Sequence, residues 1–415
     1  MKVMFSIMLF AILSACNKEP VKPTPPPTPT TSKLQILWKT PISPDTALYT
    51  STAQALVDQG IVFSTNFYSP SAFVRVLNAQ TGQLRWKFDN FIKPIDGFLT
   101  DMVLSVNNKV IINKWDRTYC VDAQNGSLDW SSDVSSIGNG APLINTIENY
   151  VYKVHFTGQK PISASESMVR AHYLSEKWDT LLTINAADSF YLNIKPPTLW
   201  INPQGDSVLI IRENGLRDVH ATSHEGRYNL ANLYAWNIRT RQYEWQLKDF
   251  QDQQAFALAQ PIVDGNRLYI HSHKVVFCIN LLDGSLVWKK EFADGIYFGS
   301  LVQHNNLVMV HGSDHGLWAL HKSDGREIWY NNTTIGTVNR LSYFDGVIYF
   351  TSSGSGLLYA IKAETGETIW AEFSANYSKR TPDVSFMFAE VIIDPVRRVL
   401  YTADGYYLMC IKLPE

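Results

Sequence analysis

The chain has 415 residues, of which 45% are hydrophobic, 18% charged and 13% aromatic, and its formal net charge is −2. This balance excludes a disordered polymer, and the lack of a basic excess argues against a nucleic-acid surface. After the N-terminus no run of about 20 apolar residues is available to span a membrane. The cysteines are Cys16, Cys120, Cys278 and Cys410. They form no CxxC or finger spacing, and an odd number remains after Cys16, so no disulfide framework is expected.

The chain opens with Lys2, an apolar run over 3–13, and then Leu13-Ser14-Ala15-Cys16. A short charged start, an apolar core and small residues before a cut describe a secretory signal peptide over 1–15. The tetrapeptide resembles the bacterial lipobox, which implies lipidation of Cys16 and stable membrane anchoring through several acyl chains. Asn17 stands where aspartate would resemble an inner-membrane retention signal, so an outer-membrane lipoprotein of the cell envelope is expected, on either leaflet. Lys18-Glu19 weakly resembles a surface-export signal. Residues 16–33 then form a Pro/Thr-rich tether with Pro20, Pro23, Pro25, Pro26, Pro27 and Pro29. Such a tract favours polyproline II and reaches at most about 50 Å at ~3.1 Å per residue.

From residue 34 onward one pattern recurs. Asn78-Ala79-Gln80-Thr81-Gly82 precedes Trp86, and Asp122-Ala123-Gln124-Asn125-Gly126 precedes Trp130. Gly284 with Trp288, Gly325 with Trp329 and Gly366 with Trp370 keep the same spacing. Asn, Asp or Thr near a glycine supplies a tight hairpin turn. The flanks alternate apolar and polar, as half-buried strands do. Ten residues before each tryptophan stands a small or medium apolar residue: Val76, Cys120, Ala235, Cys278, Ala319 and Ala360. The copy ending at Trp245 has Arg241 at the turn glycine. The copy from Ala171 to Leu181 has lost both glycine and tryptophan, with Trp178 in its turn. A second hairpin precedes each pair, at 103–112 around Asn107-Asn108, 261–271 around Asp264-Gly265-Asn266 and 341–349 around Asp345-Gly346. Others fall near 54–63, 141–152, 198–211, 301–311 and 389–402.

Trp245, Trp288, Trp329 and Trp370 follow one another at intervals of 41–43 residues, with four short strands per unit. This is the period of a propeller blade. Cys410 lies on a third strand with no fourth strand after it, whereas 34–39 reads as a tryptophan strand with no blade before it. The N-terminal strand is therefore expected to complete the last blade. The expected fold is all-β: eight four-stranded antiparallel blades in one domain, 34–415, with no open edge. The turns resemble the tryptophan-docking motifs of PQQ-like, quinoprotein-type propellers. Signal, tether and blades together are similar to the BamB lipoproteins of the outer-membrane barrel-assembly machine. The resemblance implies that Trp38, Trp86, Trp130, Trp245, Trp288, Trp329 and Trp370 are structural, each docked between adjacent blades.

Chemistry is sparse. Quinoprotein dehydrogenases of this fold resemble one another in having adjacent cysteines and acidic calcium ligands, and this chain has no adjacent cysteines. Cys120, Cys278 and Cys410 fall where alanine serves in other copies, which points to packing. His220 with His224, and His271 with His273, lack the three or four ligands of a zinc site. No nucleophile elbow, P-loop or HExxH pattern is present. No catalytic residue, metal or cofactor is expected, and the chain reads as a binder and not an enzyme.

Length variation is concentrated in the second-to-third-strand loops and the links between blades, at 155–168, 183–197, 212–231 and 373–388. All of these project from one face, and long loops on a rigid scaffold commonly carry function. They supply a candidate binding face of Arg217, His220, His224, Arg227, Tyr228, Tyr377, Lys379, Arg380 and Phe386. Mixed charge with aromatics suits an envelope protein partner or a glycan.

Overall fold

In a computed structural model the described residues are 34–41, 53–57, 60–64, 73–91, 103–113, 117–132, 144–157, 165–185, 191–216, 230–248, 250, 260–272, 274–292, 300–312, 316–333, 340–352, 354–375, 385–386 and 390–413. They form antiparallel sheets throughout. In chain order the first sheet covers 53–88, the second 103–132, the third 144–185 and the fourth 191–247. The fifth covers 262–291, the sixth 301–331 and the seventh 342–372. The eighth joins 392–412 to the N-terminal strand Ile36–Pro41, which pairs along Tyr407–Lys412. Innermost strands of successive sheets touch, except that the third sheet meets the fourth through its strand Ser165–His172, and the eighth meets the first, so the sheets close into an all-β propeller.

Seven of these sheets are four-stranded. The expectation of eight four-stranded blades is therefore corrected: the fourth sheet has five strands. The cause is the ten-residue strand Ser207–Leu216, which is long enough to pair with Thr198–Ile201 and, further along, with Tyr191–Ile194. Pro196-Pro197 lies between the two partners, and proline cannot continue a ladder.

The repeated register has a packing reason. Each small residue sits opposite its tryptophan: Val76 opposite Trp86, Cys120 opposite Trp130, Ala235 opposite Trp245, Cys278 opposite Trp288, Ala319 opposite Trp329 and Ala360 opposite Trp370. Cys410 faces Trp38 in the closing strand. The expected Ala171–Leu181 pair is not made. The ladder instead sets Met168 opposite Leu182, because the turn after residue 172 is longer than a glycine turn.

Six of these indoles reach the next sheet and donate to the residue just after its third strand. Trp38 donates to the carbonyl of Ala79 at 3.1 Å, Trp86 to Ala123 at 2.8 Å and Trp130 to Tyr173 at 3.0 Å. Trp245 donates to Leu281 at 2.6 Å, Trp288 to Lys322 at 2.8 Å and Trp329 to Ala363 at 3.1 Å. Trp370 packs against Ile411 and Leu413 of the eighth sheet. The turn glycine is the floor under the ring. A Cβ on Gly126 would lie 2.7 Å from Trp86, and one on Gly325 2.5 Å from Trp288. Both glycines also have positive φ, 75° and 72°, so the position excludes side chains twice over.

A second contact repeats toward the opposite face. Phe91 packs on Tyr119, Phe250 on Phe277 and Phe292 on Trp318, with ring centroids 5.4, 5.2 and 5.0 Å apart. The cysteines Cys120, Cys278 and Cys410 are buried thiols without disulfides. Burial pushes Cys120 and Cys410 up to about 12 and raises Cys278.

Candidate functional site

Two kinds of short turn define one face. In sheet after sheet, the residue after the third strand donates its backbone N–H to the turn between the first and second strands. Ala123 donates to Asn108, Tyr173 to Asn149, Leu281 to Asn266, Lys322 to Asn306 and Ala363 to Gly346. The opposite face receives the second-to-third-strand connections, and there the third and fourth sheets are taller than the rest. Their strands Tyr150–Thr157, Ser165–His172, Ser207–Leu216 and Leu230–Asn237 run for eight to ten residues, against five or six in the second strands of the fifth to eighth sheets. Much of 155–168, 183–197 and 212–231, expected as loop, is therefore strand.

Beneath this face lies a layer of buried polar side chains. The second strand begins with an apolar run and then turns polar two residues beyond the position opposite the small residue. The runs are Val110-Ile111-Ile112-Asn113, Leu209-Ile210-Ile211-Arg212, Leu268-Tyr269-Ile270-His271, Val308-Met309-Val310-His311 and Ile348-Tyr349-Phe350-Thr351. The five polar residues are at most 2% exposed. Asn113 accepts from the Thr118 hydroxyl, and Lys153 of the third sheet, also buried, donates to the same hydroxyl. His271 donates through Nδ1 to the Ser272 carbonyl at 3.0 Å, and the His311 ring lies 5.6 Å from Phe350. Burial alone pulls Arg212 down to about 9. The pattern was present in the sequence, but periodicity marks these residues only as the ends of apolar runs.

The tall part of the fourth sheet also buries Glu213, against the third sheet. Tyr234 Oη and Asn232 Nδ2 both donate to its carboxylate, the latter at 3.2 Å. Burial raises the Glu213 carboxyl above its ordinary value and also raises the Tyr234 phenol. The arrangement fixes a carboxyl in place against the Tyr234 phenol and the Asn232 amide. Among the described residues, no group of three His, Cys, Asp or Glu is placed to hold a metal ion.

The structure sorts the candidate binding residues unevenly. Arg217, His220, His224, Arg227, Tyr228, Tyr377, Lys379 and Arg380 lie outside the described residues, as does His273. Phe386 requires correction. It is fully buried, packs with Tyr349, Leu358 and Ile411, and donates its N–H to Gly356. It pins the link between the seventh and eighth sheets and offers no contact surface.

Comparison with known proteins bears on this architecture. A tetrathionate hydrolase of Acidithiobacillus ferrooxidans is 26% identical over 140 residues, 33% of this chain. The chain spans only 24% of that relative's length. Among solved structures, BamB from Moraxella catarrhalis superposes with a TM-score of 0.59 at 13% identity, covering 92% of this chain and 98% of that one. A quinohemoprotein alcohol dehydrogenase from Pseudomonas putida HK5 gives 0.58 at 13% identity, covering 93% and 78%. These likenesses establish a shared propeller fold. The family model described as outer membrane protein assembly factor BamB matches residues 35–178 and 245–413, leaving out most of the tall fourth sheet. Those two stretches are most of the chain, and the chain belongs to that family.

Proposed function

We propose that this chain is a non-enzymatic, lipid-anchored propeller of the bacterial outer membrane that binds another envelope protein through the face opposite the short turns. A scaffold role like that of the BamB family is the version favoured. The observation that carries the reading is the heightened third and fourth sheets standing over a floor of buried polar side chains. Burying polar groups costs stability unless they are satisfied. A fold that repeats such a layer from sheet to sheet toward one face is organised around that face. The tall strands of the fourth sheet, Ser207–Leu216 and Leu230–Asn237, fall where the family model does not match, as a partner-specific surface would.

The test is to shorten 217–229 to a four-residue turn. This leaves the strand residues Arg212, Glu213 and Asn232 in place. The intact lipoprotein is then used to capture partners from detergent-solubilised envelopes. The expected result is a stoichiometric protein partner that is lost with the loop while cooperative melting is kept. Unchanged capture overturns the reading. The quinoprotein reading rests on the fold shared with the alcohol dehydrogenase. Turnover with added PQQ, calcium and an electron acceptor would favour it.

A further inference from the structure

The chain emerges from the propeller on the face of the short turns. Lys412 donates its N–H to Gln35, and the next residue, Leu413, donates to Arg398 in the 395–398 turn. The start of the closing strand therefore lies beside that turn, on the same face as the turns at 174–177 and 281–283. A tether running back to an anchor on Cys16 would start from this face.

The same face carries exposed aliphatic side chains. Val396 is 91% exposed, Leu174 59%, Leu282 52% and Ile201 50%. Single exposed aliphatics are ordinary, but Val396, Leu174 and Leu282 stand on turns held rigid from below, and Ile201 ends a strand. Asp394 accepts from the N–H groups of Val396 and Arg397. Tyr173 and Leu281, next to Leu174 and Leu282, are tied by their backbone bonds to Asn149 and Asn266. Charge is not the attraction here. Arg397 is paired with Asp394 at 2.7 Å and Arg398 with Asp345 at 3.0 Å.

We propose that the short-turn face rests on the lipid bilayer that holds the anchor, with Val396 as its deepest contact, a placement that depends on the lipid anchor of the proposed function. A few aliphatic side chains would not bind a bilayer from free solution. A tether of residues 17–33 reaches at most about 50 Å, and such a linker gives a local concentration of roughly millimolar. Weak contacts are occupied under those conditions. The tall third and fourth sheets then point away from the membrane, toward the partner.

The test uses the full lipidated chain in vesicles of phosphatidylethanolamine and phosphatidylglycerol containing nitroxide-labelled lipid. Fluorophores are attached through Val396→Cys or, on the opposite face, Ala375→Cys, since the native thiols are buried. Flotation of unlabelled protein reports the anchor independently. We expect at least threefold stronger quenching at 396 than at 375. A label on Leu282→Cys should lose its quenching when Val396→Glu is added. Equal quenching at 396 and 375, or none at either in protein that floats, overturns the membrane contact and leaves the anchor standing. Failure to float removes the anchor and this proposal together. Label at 396 that escapes quenching but is shielded by a protein in whole envelopes assigns the face to a protein and overturns the proposal.

Discussion

The fifth, sixth and seventh sheets and the junction of the third with the fourth solve the same problem differently. Where the fifth sheet meets the sixth and the sixth meets the seventh, an indole lies on the next sheet's turn glycine and donates to the carbonyl of the residue after that sheet's third strand, as Trp288 does with Gly325 and Lys322 and Trp329 with Gly366 and Ala363. Among the described residues of the third sheet, no indole docks on the fourth. Leu181, Leu182 and Ile184 pack against Leu209, Ile211, Tyr234 and Trp236. Arg241, where a glycine would stand, pairs with Asp179 at 3.0 Å. That ion pair is about half exposed on both sides, where such pairs contribute at most about 1 kcal/mol. Taller strands replace the clasp with an apolar contact of branched and aromatic side chains. The comparison teaches that a ring of repeated units can release one junction from its docking motif once that junction gains height.

The largest effect should come from opening the ring. Deleting 34–42 removes the strand paired along Tyr407–Lys412 and the Trp38 clasp on Ala79. The product should aggregate or lose cooperative melting, whereas deleting 17–33 should leave the melting temperature nearly unchanged. Similar behaviour of the two deletions would break the closure.

Next come the clasps. Trp288→Ala should cost about 3–5 kcal/mol in denaturant unfolding, and Gly325→Ala roughly 1–3 kcal/mol through its strained backbone. If Trp288→Ala costs no more than Asp179→Ala, the clasped and unclasped junctions do not differ in this way.

Glu213 sharpens the comparison through pH. Its folded carboxyl is raised above 4.5, chiefly by burial. The native state therefore holds its proton to higher pH than the unfolded chain does. This contribution is fully present below about 4.5 and is lost as pH rises through the folded value. Glu213→Gln should remove that decline between acid and neutral pH. Identical pH profiles for the two proteins would exclude a raised carboxyl at this junction. The smallest effect belongs to Asp179→Ala, below about 1 kcal/mol. A larger loss would make the exposed pair with Arg241 the real fastening of the junction.

The regular part of the ring was legible because its constraint is local: a glycine turn, a tryptophan four residues on, and a small residue opposite. That pattern also located the closing strand at Trp38. The fourth sheet was less legible, because its extra strand depends on pairing between 191–194 and 213–216, which no short-range pattern records. The Ala171–Leu181 register failed for a related reason, since the turn after residue 172 lengthened and moved the bulge to Met168. Phe386 was read as a surface residue because it lies in a long link, yet a link can return an aromatic to the core. The polar layer from Asn113 to Thr351 was written at the ends of apolar runs. It becomes meaningful only when successive sheets stack those ends at one level.

Binding through the face of the tall sheets is tested most directly by site-specific photo-crosslinking in living cells. A photoreactive amino acid at Arg227 probes that face, and one at Asp324, exposed on a short turn, probes the other. The account predicts a discrete protein adduct from position 227 and none from 324. A protein adduct from 324 with none from 227 would contradict it.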